Sequence, residues 1–528
     1  MSAILTDQFR VIRASDFVAS IGSTANTYYA FLGMPYTDEY QLDWSLNIPD
    51  PVDSFEQEYS YSGNMISLSK INPFDVRQII PKYQWISGQS YEMYRHDYSR
   101  NNLSPFTRST RLYDSRFYVV NKDYNVYICF QNGTDPENPN GRPSINEPTH
   151  TTPTPQIAGD GSDRYIWKFL YRINPQDIIK FDSTDFIPVP LDWQNNPDVR
   201  EVREFSSNGS IEIVTIKNAG FGYGSANTYN NIPILGDGDN GRVSISVAAD
   251  GKISNIVVTN RGSNYTFGTI DISEYIPHTG IGTTTLAQFD VIIPPKGGHG
   301  KNIYRELGAT RVLLYTRFEN VLAENPDLIA SNSFARLGIV REPKVYGSSS
   351  NFTEKTGSAL YAIKLTGVGA STASFVDDEI VFQTIGIGST AVGRVASYDN
   401  TTQVLKIWQD KNLNLSQPKG GPLSPAYGIS PRYGYKKQIF SGNIGVGASA
   451  LISQPDNPSP LGLSIDTAFN GNTTVINSRT YKLGQNFVNG VATPEIEPNS
   501  GDIVYIDNRD TIPRSQSQKE DVKIILEF

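Results

Sequence analysis

Apolar residues in this chain recur mostly at strand spacing, in short runs broken by Gly, Pro, Asn and Asp. The opening is the exception. In FRVIRASDFVASI, Phe9, Ile12, Arg13, Phe17 and Ile21 fall near helical spacing and predict a partly buried amphipathic helix. Gly22 stops it, and TYYAFLG (27–33) predicts a strand. Pro and Asp punctuate 35–54, expected to be a surface loop. NPFDVRQIIPKYQW carries a short helical turn with Asn72 as cap and Pro73 at its first position. RLYDSRFYVV and NVYICFQ, joined by NKDY, predict a hairpin, and DRYIWKFLYRI a strongly apolar strand. Between them, 132–163 is polar and rich in Pro, Asn and Thr. It is expected to be a surface loop or extended arm that orders against a neighbour, so that removal of 135–155 would leave the fold intact.

The pattern lightens after residue 205. IVTIKNAGFGY (213–223) resembles NIVVTNRGSNY (255–265), with Gly220 matching Gly262. Between them lie GDGDNG, the strand RVSISV and the turn ADGK, which together predict a small module built from a duplicated hairpin. FDVIIPP, RVLLYTRF and FARLGIV restore the denser pattern. SALYAIKLTG, EIVFQTI, TAVGRVASYD and QVLKIWQ predict a second small β barrel or sandwich, followed by a polar stretch over 411–480. GDIVYIDNR and DVKIILEF are closing strands. The expected class is mainly β: nested β-sandwich domains with a few short helices, plus two inserted small β modules. Residues 1–85 begin a core domain. Residues 86–205 form a second domain carrying the loop 132–163. Residues 206–275 are the first insert and 276–345 return to the core. Residues 346–480 are the second insert, and 481–528 complete the core.

Composition agrees. The 44 Gly and 32 Pro supply turns, and the 30 Tyr and 24 Phe favour pleated surfaces. A net charge of −9 with no basic face argues against nucleic-acid binding. Cys129 is the single cysteine, so an intrachain disulfide is impossible and a buried thiol in a reducing compartment is expected. The start, MSAILTDQFRVIRASDF, lacks the apolar core of a signal peptide, and no stretch approaches 18 apolar residues, so no membrane span is expected.

Candidate chemistry is sparse. GGHG (297–300) followed by Lys301 invites a phosphate-loop reading, but that motif needs Gly at position 295 and Ser or Thr at 302, where Pro295 and Asn302 stand. A turn at a subunit contact or domain junction is expected instead. GDGDNG sets Asp237 and Asp239 at alternate positions with Asn240 and Gly241, a pattern that offers oxygens to calcium. Arg242 follows where the calcium loop continues toward a bidentate acid, so a plain turn is expected. Asp377, Asp378 and Glu379 are adjacent, and neighbours on a strand point to opposite faces, so a solvated turn is expected rather than a carboxylate pair. A catalytic Cys129 would need one of His96, His150, His278 or His299 beside it. No G-x-S-x-G elbow and no zinc-spaced Cys or His pair occurs. No catalytic, cofactor-binding or metal-binding residue is assigned, and the expectation is a protein that is not an enzyme.

Four stretches, in order along the chain, carry a resemblance: FRVIRASDFVASIGSTANTYYAFLG; GDGSDRYIWKFLYRINPQD with FIPVP; FARLGIVREP; and GDIVYIDNRDTIPRSQSQKEDVKIILEF. Together they resemble the gene-product-eight type of baseplate wedge subunit of contractile-tailed, T-even-like myophages. The likeness spans about 1–205, 289–345 and 495–528; the inserts at 206–275 and 346–480 have no counterpart in it. Their Gly- and Thr-rich style is similar to virion proteins of marine and cyanobacterial phages. The resemblance implies a mainly β homodimer of two nested domains, set among the other wedge proteins of the same phage. It implies a part in the baseplate change that triggers sheath contraction, with no catalysis and no cofactor. It places the chain in the virion tail after synthesis in the host bacterial cytoplasm. The alternative is a receptor- or carbohydrate-binding tail protein.

Overall fold

The computed structural model describes residues 4–35, 44, 48–135, 137–279, 286–319, 332–367, 369–375, 377, 380–386, 389–408, 463–515 and 518–528. The protein is mainly β, with several sheets and few, short helices. It divides into two compact units. Unit one comprises 1–18, 77–313 and 525–528; unit two comprises 19–76 and 314–524. Each is therefore assembled from separated stretches of chain.

Unit one is centred on a four-stranded sheet in the order Tyr118–Val120, Asn125–Asn132, Tyr165–Arg172, Gln156–Ile157. Its two middle strands are the apolar runs VYICF and YIWKFLY. Nearly every residue of both is buried, because such runs place apolar side chains on both faces of the pleat. Cys129 lies opposite Trp167 in the register, and Tyr118 lies opposite Ile128 across the expected hairpin. That hairpin has only three residues on its first strand, since Leu112–Asp114 turn as a 3-10 helix. The core around it is aromatic. Tyr165 stacks on Trp167 at 5.3 Å, Tyr91 meets Trp167 edge-on at 5.8 Å, and Tyr171 meets Trp193 edge-on at 6.3 Å, geometries that aromatic quadrupoles favour.

The segment 132–163 departs from expectation. It is tied to unit one's own strands rather than waiting for a neighbour. Ser144 is fully buried, and its backbone bonds Gly88 and Gln89 at 2.7 Å each. Asp163 accepts from the amides of Ile145 and Asn146. Three buried side chains use the loop's carbonyls as acceptors: Asn121 on Pro148, Tyr127 on His150, and Lys168 on Pro153. A polar composition was satisfied by donors from the sheet, which sequence spacing does not reveal. The dispensability expected of 135–155 therefore has no structural basis.

The lighter region forms a second core in unit one. Asn227–Pro233, Arg242–Val247 and Ile253–Asn260 make an antiparallel meander, while Val214–Asn218 pairs with Gln288–Val291. The repeat is real in conformation but is not a duplicated hairpin. Ile253–Asn260 pairs with its chain neighbour, and Val214–Asn218 pairs with a strand beyond residue 275. The two copies instead share a strand, a left-handed glycine and a buried tyrosine. Gly220 and Gly262 have φ of 62° and 61°, and Tyr223 and Tyr265 are each 2% exposed. Each hydroxyl is used: Tyr223 accepts from the Ala287 amide, and Tyr265 accepts from the Gly241 amide and donates to the Ile234 carbonyl.

Unit two holds a five-stranded sheet in the order Thr356–Gly357, Met65–Lys70, Tyr28–Gly33, Asn332–Arg341, Asp502–Arg514. The expected strand TYYAFLG is its buried centre. Phe31 lies opposite Gly338, where an added Cβ would come within 2.2 Å of the Phe31 ring, so this glycine makes room for the aromatic. A second sheet joins Tyr361–Thr366, Val404–Trp408, Ser389–Asp399 and Ile380–Gly386, and pairs Tyr361–Thr366 with Val491–Ala492. Residues 411–462 of the expected polar stretch lie outside the described residues. The helix Phe55–Gly63, unanticipated in the sequence reading, is capped by Ser54 accepting from the Gln57 amide at 3.3 Å. The S-x-x-Q spacing is a capping-box signature.

The opening helix is Asp7–Gly22. Its buried positions are Val11, Ala14 and Ile21, while Phe9 and Ile12 are exposed. The helical period was right and the buried face was rotated: Ala14 is fully buried, where Phe9 and Ile12 face water.

Candidate functional site

The densest polar chemistry lies inside unit one, around the glycine-rich loop 297–300. Gly297, Gly298 and Gly300 all have positive φ, near 90°. A Cβ on Gly298 would fall 2.3 Å from the Ser207 carbonyl oxygen. The glycines are required by this close backbone approach and not by a phosphate. The turn delivers His299 into the interior. Its Nδ1 lies 2.6 Å from Glu306 Oε1, and the other carboxylate oxygen accepts from the Gly300 amide at 2.7 Å. The imidazole meets Tyr94 edge-on at 4.6 Å and packs on Phe130 at 4.5 Å.

An ionic group adjoins this pair. Lys168, at the centre of YIWKFLY, has a fully buried side chain. Its ammonium donates to the Pro153 carbonyl at 2.9 Å, sits 3.4 Å from Glu212, and lies over the Phe205 ring at 4.4 Å. Burial pulls the Lys168 pKa down, opposed by the charge of Glu212 and then of Glu306. Arg261 also lies over the Phe205 ring, at 3.9 Å, and reaches Glu212 at 3.4 Å. Between the two groups is a void of about 10 Å³, lined by Tyr94, Phe130, Glu212, Ile213, Ile292 and His299. That is space for about one water and no substrate. Lys168, Glu212, His299 and Glu306 are all buried, and Arg261 closes the group from a position about a third exposed. Chemically it is a packed polar core, able to fix the positions of the 132–163 loop, the strand 165–172 and the glycine loop.

The residues singled out in the sequence are placed as follows. Cys129 is fully buried, and burial drives its thiol pKa well up, the reverse of what a nucleophilic thiolate requires. His96 accepts from the Ile293 amide, His150 packs on Tyr127, and His278 bonds the Phe221 carbonyl. Burial lowers the pKa of His96 and of His150. Asp237 is exposed, but its own module occupies its carboxylate. Its carboxylate accepts from the Thr266 hydroxyl and from the amides of Thr266 and Phe267, and these bonds hold its pKa down at about 2. Asp239 bonds Ser263 through its backbone. The GDGDNG loop is thus a braced turn. Asp377 lies in a turn, and Asp378 and Glu379 lie outside the described residues. Among the described residues, no three His, Cys, Asp or Glu side chains cluster to hold a metal, and no helix is long and apolar enough to cross a membrane.

Sequence reasoning passed over Lys168, Glu212 and Glu306. A signal existed for the first: a lysine amid an unbroken apolar strand must either reach solvent or find a buried anion. No protein-family model matches the chain, and no curated protein matches it.

Proposed function

We propose that this chain is a structural subunit of a contractile phage-tail baseplate wedge. In this reading it works as a homodimer beside other wedge proteins and helps transmit the rearrangement that triggers sheath contraction. The observation that carries it is the order of the four resembling stretches, at 9–33, 159–190, 334–343 and 501–528. The mainly β architecture is compatible with it, and so is a polar interior committed to holding segments together. A wedge subunit must keep its shape while neighbours move, and paired, enclosed charges resist local rearrangement because separating them leaves an uncompensated buried ion. The site of action is then the assembled tail, and the partners are other proteins of the same particle.

Light scattering after gel filtration tests the reading. A solution mass of twice the chain's 58.4 kDa, together with capture of other wedge proteins from the same phage, is the expected result. A stable trimer would overturn it and favour the carbohydrate-binding tail protein instead.

A further inference from the structure

We propose that unit one carries a pocket for a small oxyanionic group, a phosphate or a carboxylate, on the outer side of the glycine-rich loop. The pocket is a cleft of about 200 Å³, walled by Gln8, Tyr113, Pro295, Lys296, Asn302 and Arg305. On the same measure a single water needs only about 10–15 Å³, so the cleft admits an anionic group with several further atoms attached.

The charge balance of the walls points to an anion. Lys296 and Arg305 are cationic, and neither makes an ion pair among the described residues. The neighbouring acids are already matched: Asp7 pairs with Arg111, and Glu306 turns inward to His299 and the Gly300 amide. The chain's net charge of −9 does not cancel this patch, because exposed charges beyond about 8 Å are screened at physiological salt.

Hydrogen bonding points the same way. The acceptors of the wall are in use. Gln8 Oε1 accepts from Arg305 Nε, and the Tyr113 hydroxyl accepts from Gln8 Nε2 while donating to the Arg305 carbonyl. Asn302 Oδ1 accepts from the Arg305 amide. The ammonium of Lys296, the Nη groups of Arg305 and the Nδ2 of Asn302 have no hydrogen-bond partner among the described residues. What remains is a wall of donors, and a guanidinium held through its Nε offers its Nη groups to paired oxygens. Gln8 and Tyr113 therefore act as positioning residues for Arg305. This pocket does not use Lys301, the residue that suggested a phosphate loop, and it does not rest on the wedge reading.

The test is isothermal titration of the full chain with inorganic phosphate at low ionic strength. Saturable binding with a Kd of about 1–10 mM is expected, the strength of a few charge-assisted hydrogen bonds. K296M and R305Q should each weaken it about three- to tenfold, with the thermal midpoint unchanged since both side chains are at the surface. N302D keeps the cap acceptor but adds a carboxylate to the wall, and should abolish binding. Glucose 6-phosphate and glucuronate distinguish the source of the oxyanion. Whichever binds more tightly, with the same dependence on Lys296 and Arg305, identifies a phosphate ester or an acidic sugar as the group preferred. Absence of saturable binding by all three probes, or binding that survives both the K296M/R305Q and N302D changes, would overturn the proposal.

Discussion

The same kinds of charged side chain are used in opposite ways by one group in unit one and by two pairs in unit two, a unit that also holds the buried pair Arg514–Glu520 at 3.1 Å. In unit one, Lys168, Glu212 and Arg261 form an ionic group around a fully buried lysine and a carboxylate only 2% exposed. In unit two, Arg317 meets Asp521 at 2.6 Å and Lys519 meets Glu319 at 2.9 Å, with side chains between about a third and two thirds exposed. The exposed pairs are the shorter. Distance is thus a poor guide to consequence, and desolvation decides. Water competes for Asp521 whatever Arg317 does, whereas Glu212 has nothing to replace Lys168 except the protein around it.

Breaking the buried group should have the largest effect. Glu212→Ala leaves Lys168 enclosed without its nearest carboxylate, and is expected to cost about 3–5 kcal/mol in urea unfolding. The comparison is sharpened by K168M/E212L, which removes both buried charges. Arg261 keeps its place over Phe205 and is about a third exposed to water, so the double change should recover most of the loss.

Deleting 135–155 is expected to be of similar severity. It removes the carbonyl acceptors of Asn121, Tyr127 and Lys168, each worth about 1–3 kcal/mol when a buried donor is left unsatisfied. Some of this is offset by freeing the loop. Protease sensitivity and a lowered unfolding midpoint for the deletion would distinguish this from a dispensable arm. An unchanged midpoint would mean that solvent supplies those acceptors.

Asp237 lies between the extremes, since it is exposed but fixed by three donors. Its folded pKa of about 2 is below the ordinary value of about 3.9. Its contribution to stability is therefore fully present above pH ~4 and is lost as pH falls through ~2. The thermal midpoint of D237N should lie below that of the parent at neutral pH, and the two should converge in strong acid. The smallest effect is expected for D521N. Hydrogen bonding to Arg317 lowers the pKa of Asp521, but the pair is exposed, and its loss should cost no more than about 1 kcal/mol, less at high salt. A D521N effect as large as that of E212A would remove the distinction between the two regions.

Much of the architecture was readable along the chain. TYYAFLG, NVYICFQ and YIWKFLY became buried strands because an unbroken apolar run has no face to give to water. The turn at Asn72–Pro73 formed as its cap and its proline predict. Ser54 and Gln57 marked a helix start that went unread. The face of the opening helix was misjudged, because periodicity reports a stripe but not which neighbour it meets. The pairing of Val214–Asn218 with Gln288–Val291 was hidden for a related reason: local repeats say nothing about a partner supplied much later in the chain.

The sequence by itself determined that this protein is mainly β, where many of its turns fall, and that its single cysteine forms no disulfide within these 528 residues. Those are properties of local backbone preference and composition, which each segment carries alone. Only the tertiary structure decided which charges are buried and which face water. Lys168, Glu212, Arg261 and the His299–Glu306 pair come from four separate segments, and the cost of burying each depends on what the others bring to it. The same holds on the outer side of the glycine-rich loop, where Lys296 and Arg305 are left without acids because Glu306 has turned inward.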